Sequence, residues 1–304
     1  MTAAEATTTG ANASFLQALV NRQGRPAKVS VLPGKGLAPD LDKAALDAVR
    51  QWEFTPAKAK GKSVEIHVGP YRTVVLLCAH AGIKTGEDGP THADPQALQL
   101  LQENFPPGTA ITATPWDPAE LWPLTAAALA KRPAVFAPFV TRPNETVPDR
   151  ARLGLAPAEA ARSGVYRLRA PQGRPDAALV LQGSEVTLAF AAGVLPRLER
   201  EGVDLDVYYV ASAELFDTLD AAERERIFPE ARAREAMAIT GFTLATTYRW
   251  VRSDRGRAAS LHAYSRGHYL GSGTGAAVLH EAGLDADGQY AAIRRFLDAG
   301  ARAK

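Results

Sequence analysis

Hydrophobic positions follow two rhythms along this chain. In Ala27-Lys28-Val29-Ser30-Val31-Leu32 and in Ser63-Val64-Glu65-Ile66-His67-Val68 they alternate with polar ones. Alternation predicts strands with one buried face. Between these stretches Leu41, Ala45, Ala48, Val49 and Trp52 recur at three- and four-residue spacing, which predicts one amphipathic helix with Asp40 or Asp42 at its start. Ser14 to Val20 reads as a strand or a short helix, and Asn21 to Arg25 as a turn. Residues 13–70 therefore form a strand, strand, helix, strand unit. Residues 1–12 are mostly Ala, Thr and Gly and read as a disordered tail.

The second rhythm is the unbroken apolar run. Thr73 to Ala79 is one, and Ala177 to Gln182 and Asp206 to Val210 are others. A short apolar run bounded by turn residues predicts a buried strand of a parallel sheet. In residues 71–150 further strands fall at Thr109–Thr114 and Pro133–Val140. Helices fall at Pro95–Leu101 and at Ala119–Ala130, the latter capped by Asp117. Residues 143–163 are a proline-marked linker. In residues 164–304 the helices run from Gly183 to Leu198, Ala221 to Ile227, Ala276 to Glu281 and Asp287 to Leu297. Glu235–Ile239 and Ala259–Ala263 read as strands and Leu215–Asp217 as a loop. Strand–helix alternation predicts an α/β fold: two mainly parallel sheets flanked by helices, in 71–150 and 164–304, behind a small α+β N-terminal segment.

Charge and cysteine content narrow the function classes. The 35 basic and 33 acidic residues leave a formal net charge of +2, so neither nucleic acid nor an anionic membrane is an expected partner. The single cysteine, Cys78, excludes a disulfide framework and a cysteine metal site. No stretch approaches the roughly 18 apolar residues of a membrane span. Met1-Thr2-Ala3-Ala4-Glu5 lacks the basic and apolar parts of a signal peptide, so the cytoplasm is the expected location.

Candidate chemistry concentrates in Gly86-Glu87-Asp88-Gly89-Pro90-Thr91-His92, just beyond the apolar run that ends at Ala79. In parallel sheets ligands bind at the carboxyl ends of strands. Two glycines permit a tight turn close to a ligand. Asp88 accepts hydrogen bonds from hydroxyl groups, a histidine moves protons near neutral pH, and Arg142 offers a planar fork for phosphate.

Two resemblances follow from these residues. Leu41-Asp42, Ala44-Ala45-Leu46, Ala48-Val49-Arg50, Trp52-x-Phe54-x-Pro56-Ala57 and Gly61-Lys62-x-Val64 resemble the C-terminal domain of TonB-type energy transducers. That family also uses an N-terminal membrane helix and a proline-rich spacer, which this sequence lacks. His80, the Gly86 to His92 run, Pro115-x-Asp117 and Thr141-Arg142 resemble the second half of the pyrimidine-binding domain of transketolase. Gly183-Ser184-Glu185-Val186, Glu214-Leu215-Phe216-Asp217 and Gly271-Ser272-Gly273 are similar to its C-terminal domain. The transketolase resemblance implies thiamine diphosphate with Mg2+, and two-carbon ketol transfer between phosphosugars. By it, Asp88 binds a substrate hydroxyl, His80 and Arg142 bind the sugar phosphate, and His92 is the catalytic residue beside the reacting carbons.

In that family the carboxylate and aromatic wall for the cofactor's pyrimidine ring come from the first half of the pyrimidine domain. The metal and diphosphate site comes from a separate N-terminal domain. The TonB-like segment stands where the first half would be, so the isolated chain is expected to be inactive. A homodimer or a second chain carrying the missing half is the expected partner. The alternatives are a non-catalytic structural or interaction protein with a transketolase-like core, and a TonB-like binding module.

Overall fold

The computed structural model describes residues 2–6, 16–20, 25–31, 39–51, 58–59, 62–63, 73–78, 81–83, 95–141 and 146–301. The chain divides into two units, Met1–Tyr71 and Arg72–Lys304.

In the first unit, β1 (Thr2–Ala6), β2 (Leu16–Val20) and β3 (Pro26–Val31) form an antiparallel sheet in chain order. The register runs from Thr2 opposite Val20 to Ala6 opposite Leu16. Residues 2–6, read from sequence as tail, are thus an edge strand. Their small side chains show no periodicity, and pairing with β2 supplies the order. Helix α1 (Pro39–Arg50) carries Asp40 and Asp42 in its first turn and Arg50 in its last. Both signs suit the helix dipole. A short ladder joins β4 (Lys58–Ala59) to β5 (Lys62–Ser63). Trp52, Phe54 and the alternating residues 64–68 lie outside the described residues.

The second unit holds two sheets. The first contains β6 (Val74–Val75), β7 (Ala110–Ala113) and β8 (Val135–Pro138), all parallel, in the order β6-β8-β7. Helices α2 (Ala97–Leu101) and α3 (Leu121–Ala130) belong to this part. The second sheet comprises β9 (Val165–Arg169), β10 (Ala177–Gln182), β11 (Leu205–Val210) and β12 (Ala236–Thr240), in the order β12-β10-β11-β9. Only β9 runs antiparallel to its neighbour. Its helices are α4 (Ser184–Ala189), α5 (Leu195–Arg200), α6 (Ala213–Asp217), α7 (Ala221–Ile227), α8 (Glu230–Glu235), α9 (Asp254–Ala259), α10 (Gly275–Ala282) and α11 (Ala286–Ala301). The α/β class with parallel sheets is as the alternation predicted.

Particular expectations differ. β6 is parallel but not buried: Val74, Val75, Leu76 and Leu77 are 61%, 54%, 48% and 61% exposed. Among the described residues it is the sheet's edge, and an apolar run carries no signal of how many neighbours a strand has. Leu215–Asp217 lies within α6, whose first turn is held by Ser212 Oγ accepting from Leu215 N at 3.2 Å. Five residues are too few to register a helical period. At Ala259–Ala263 the chain ends α9 and meets β12 through a single bridge between Ile239 and Leu261 and through Ser260 Oγ, which accepts from Ala238 N at 2.9 Å, rather than forming a strand. Strand β9 went unread because its Val165-Tyr166-Arg167-Leu168-Arg169 breaks the apolar run with two arginines.

The two sheets of this unit share one core. Ile111, Trp116 and Phe136 from the first cluster with Tyr166, Leu181 and Tyr209 from the second.

Candidate functional site

The four residues carried over from sequence, His80, Asp88, His92 and Arg142, lie outside the described residues. The structure does describe the roots from which their segments leave. Strands β6 and β8 are paired neighbours, and the pairing continues to Cys78 opposite Phe139. Val140 N donates to Cys78 O at 2.9 Å, and Ala81 N donates to Val140 O at 3.3 Å. The segment containing residue 80 and the segment leading to residue 142 therefore start side by side, at the carboxyl ends of parallel strands. Such ends are where ligands bind in α/β sheets.

Glu185 holds the first of these roots. It is buried in the opening turn of α4, and its Oε1 accepts from Ile83 N at 3.2 Å. Gly82, at φ +65°, and Gly241 both pack against this carboxylate. A Cβ would come within 2.1 Å of Oε1 at Gly82 and within 1.7 Å at Gly241. Only glycine permits these approaches. Ala81 is buried in a cluster with Leu98, Phe139 and Phe242, and the last two rings meet edge-on at 6.1 Å. The sequence marked Glu185 as part of a strand-to-helix turn. Its partners lie 103 and 56 positions away, so only the structure joins them.

The third strand end carries a buried polar cluster. Asp117 Oδ1 accepts from Ala119 N at 2.6 Å, the predicted cap. Its Oδ2 accepts from Arg150 Nε at 2.6 Å. Arg150 Nη2 also donates to Glu120 Oε1 at 2.8 Å, while its guanidinium carbon lies 4.3 Å from the Trp116 ring centre. Tyr166 OH donates to Glu120 Oε1, and Trp116 Nε1 donates to Tyr166 OH at 2.8 Å. Two carboxylates thus share one guanidinium inside the protein. Burial pushes the Glu120 carboxyl up to about 7, against the pull of Arg150, Tyr166 and the Trp116 amide. Asp117 and Glu120 are accordingly occupied with holding the fold. Arg150, placed from sequence in a linker, is the residue that joins the two sheets here.

Along β7 another carboxylate closes the sheet. Glu214 Oε2 accepts from Thr112 N at 3.1 Å and Thr112 Oγ1 at 2.8 Å, and its Oε1 from Glu103 N at 2.9 Å. Burial raises its carboxyl above the ordinary range, opposed by these hydrogen bonds. Thr114 N donates to Ala211 O at 2.7 Å.

Comparison with known proteins decides what this frame is. The family model of the transketolase-like TK C-terminal domain matches residues 164–285. Residues 164–285 are a transketolase-like C-terminal domain. The model of the Gram-negative bacterial TonB protein C-terminal matches residues 5–72. Both resemblances read from sequence are borne out. A transketolase of Aquifex aeolicus is 31% identical over 197 residues, covering 64% of this chain and 27% of that protein. Transketolase 1 of Escherichia coli is 33% identical over 157 residues, covering 52% of this chain and 22% of that protein. The chain spans about a quarter of the length of these relatives. The transketolase structure from Leishmania mexicana superposes with a TM-score of 0.58 at 20% identity, over 73% of this chain and 30% of that one, which shows the shared fold.

Thiamine diphosphate with Mg2+, implied by the transketolase resemblance, can be tested against the described donors. Among the described residues no three His, Cys, Asp or Glu side chains converge to hold a metal ion. Asp117, Glu120, Glu185 and Glu214, at the strand ends, each accept from the chain's own donors. The described residues do not fit the metal and diphosphate end of the cofactor. Nor is any helix among them long and apolar enough to cross a membrane.

Proposed function

We propose that this chain supplies substrate-side residues for thiamine-diphosphate-dependent transfer of a two-carbon ketol unit between phosphosugars, within an assembly whose cofactor is held by another chain. The observation that carries the reading is the similarity to transketolases over 197 residues, joined to the geometry of β6 and β8, which start the His80 and Arg142 segments side by side. In this reading His80 and Arg142 bind the sugar phosphate, Asp88 accepts from a substrate hydroxyl, and His92 moves a proton at the reacting carbons. The cofactor would supply the carbanion-stabilising chemistry.

Two titrations test this. Calorimetry of the purified chain with thiamine diphosphate and Mg2+ is expected to give no heat, and no ketol transfer is expected from the chain alone. Saturable binding or turnover would overturn the inactivity of the isolated chain. Titration with a pentulose phosphate is expected to show weak saturable binding that Arg142→Ala removes. No binding by the unaltered chain would favour a non-catalytic interaction protein. That second reading draws on Asp117, Glu120, Glu185 and Glu214, all committed to the chain's own donors.

A further inference from the structure

The amino ends of the second sheet frame a cleft of about 950 Å³. Ala177 opens β10, Val203 and Glu235 stand just ahead of β11 and β12, and all three line it. The Gly183-Ser184-Glu185 turn is at the opposite end of β10. Five arginines reach the cleft: Arg174, Arg232, Arg234, Arg255 and Arg294. Two of them are engaged by the chain itself. Arg232 and Arg234 stand in the last turn of α8, where a cation offsets the helix dipole. Arg232 Nε meets Asp206 Oδ2 at 3.0 Å and its Nη1 meets Glu235 Oε2 at 2.8 Å, while Arg234 Nη2 meets Glu230 Oε1 at 3.2 Å.

The other three have no such explanation. Arg174, between β9 and β10, makes no hydrogen bond or ion pair with any described residue. Arg255 is in the first turn of α9, where the dipole disfavours a cation. Its guanidinium carbon lies 4.0 Å from the Phe296 ring centre, and Nη2 donates to Phe296 O at 2.9 Å. Gly300 leaves the room for it, since a Cβ there would stand 2.5 Å from Nη2. Among the described residues no carboxylate pairs with Arg255. Arg294 stands 3.7 Å from Glu201 and 3.7 Å from Asp298, beyond hydrogen-bond distance. A guanidinium held by a ring and a carbonyl, without a counter-charge, is preorganised for an external anion.

The acids of the cleft narrow the ligand. Asp176 Oδ2 accepts from Asp204 N at 2.9 Å, and Glu201 Oε1 accepts from Tyr290 OH at 2.6 Å. Glu201 and Asp298 keep acceptor capacity beside Arg294. Carboxylates repel a bare anion and accept from hydroxyl groups. The pattern therefore fits a molecule with a phosphate at one end and hydroxyls along the rest. We propose that this cleft binds a hydroxylated phosphate monoester, with Arg174, Arg255 and Arg294 on the phosphate and Glu201 and Asp298 on the hydroxyls. The site is built from one chain, shares no residue with the proposed ketol-transfer site, and stands without that function.

Calorimetric titration of the full chain with ribose 5-phosphate tests the proposal, in an Arg142→Ala background that removes the proposed substrate phosphate contact. Saturable binding is expected, tighter than that of inorganic phosphate. Adding Arg174→Gln is expected to weaken it about ten-fold with an unchanged melting profile, because Arg174 has no partner in the chain to lose. Arg255→Gln is expected to weaken it at least as much. If that variant fails to fold for want of its Phe296 contacts, Arg174→Gln decides alone. No heat in the Arg142→Ala chain overturns the proposal. So does binding indifferent to Arg174→Gln, or inorganic phosphate binding as tightly as the ester. Binding present in the unaltered chain and abolished by Arg142→Ala also overturns it, while leaving the ketol-transfer reading intact. Binding kept in Arg142→Ala, with no pentulose phosphate site that depends on Arg142, overturns only that reading.

Discussion

Strands β6 and β10 are the same kind of sequence in opposite surroundings. Val74-Val75-Leu76-Leu77 and Leu179-Val180-Leu181 are both apolar runs in parallel pairings. β10 has a neighbour on each side and every residue buried. Among the described residues β6 has one neighbour, and its side chains are about half exposed or more. Composition therefore reports the kind of sheet a strand belongs to. Position within the sheet is set by residues far away in the chain.

The largest expected effect sharpens this contrast directly. Leu181→Ala removes a fully buried side chain and should cost roughly 2–5 kcal/mol in denaturant unfolding. Leu77→Ala, at a side chain 61% exposed, should change stability by less than about 0.5 kcal/mol. Equal costs would mean that β6 is covered in the monomer.

A second prediction concerns the seam on which the β6–β8 sheet leans. Glu120 has a folded value of about 7, above its ordinary 4.5, so folding retains a proton. The associated stability is fully present below about pH 4.5 and is lost as pH rises through about 7. The loss is on the order of 3 kcal/mol. Glu120→Gln should flatten this slope, read as the difference in urea midpoint between pH 5 and pH 8. A slope that survives in Glu120→Gln would place the titration elsewhere.

The smallest effect is local. Gly241→Ala drives a methyl group into the Glu185 carboxylate and should cost about 1–3 kcal/mol, as overpacking does. Because Glu185 also accepts from Ile83 N, the Ile83 amide should lose hydrogen-exchange protection. The β10 core should keep its exchange protection. A variant as stable and with an Ile83 amide as protected as the parent's would separate Glu185 from the Ala81–Ile83 turn.

Much of this was legible in the sequence, in proportion to how local each determinant is. The runs at Ala177–Gln182 and Asp206–Val210, the Asp117 cap and the α10 and α11 periods are set by neighbours within a few residues, and each was read. The Gly86 to His92 run, with His80 and Arg142, carries the transketolase resemblance in the sequence. What it does in three dimensions falls outside the described residues. Arg150, Glu120, Tyr166 and Glu185 were missed because their roles arise across separations of 30 to 103 positions. No periodicity reports such pairings. Buried ion pairs look like ordinary surface charge until the fold encloses them.

The Glu214 carboxylate on Thr112 bears on how association can grow. A three-stranded sheet has two margins, and a molecule adhesive at both would add copies without limit, as fibres do. Here the β7 margin is already spent, because Thr112 N ends on Glu214 and Thr114 N on Ala211 O. That side chain works as a chain terminator does in a polymerisation.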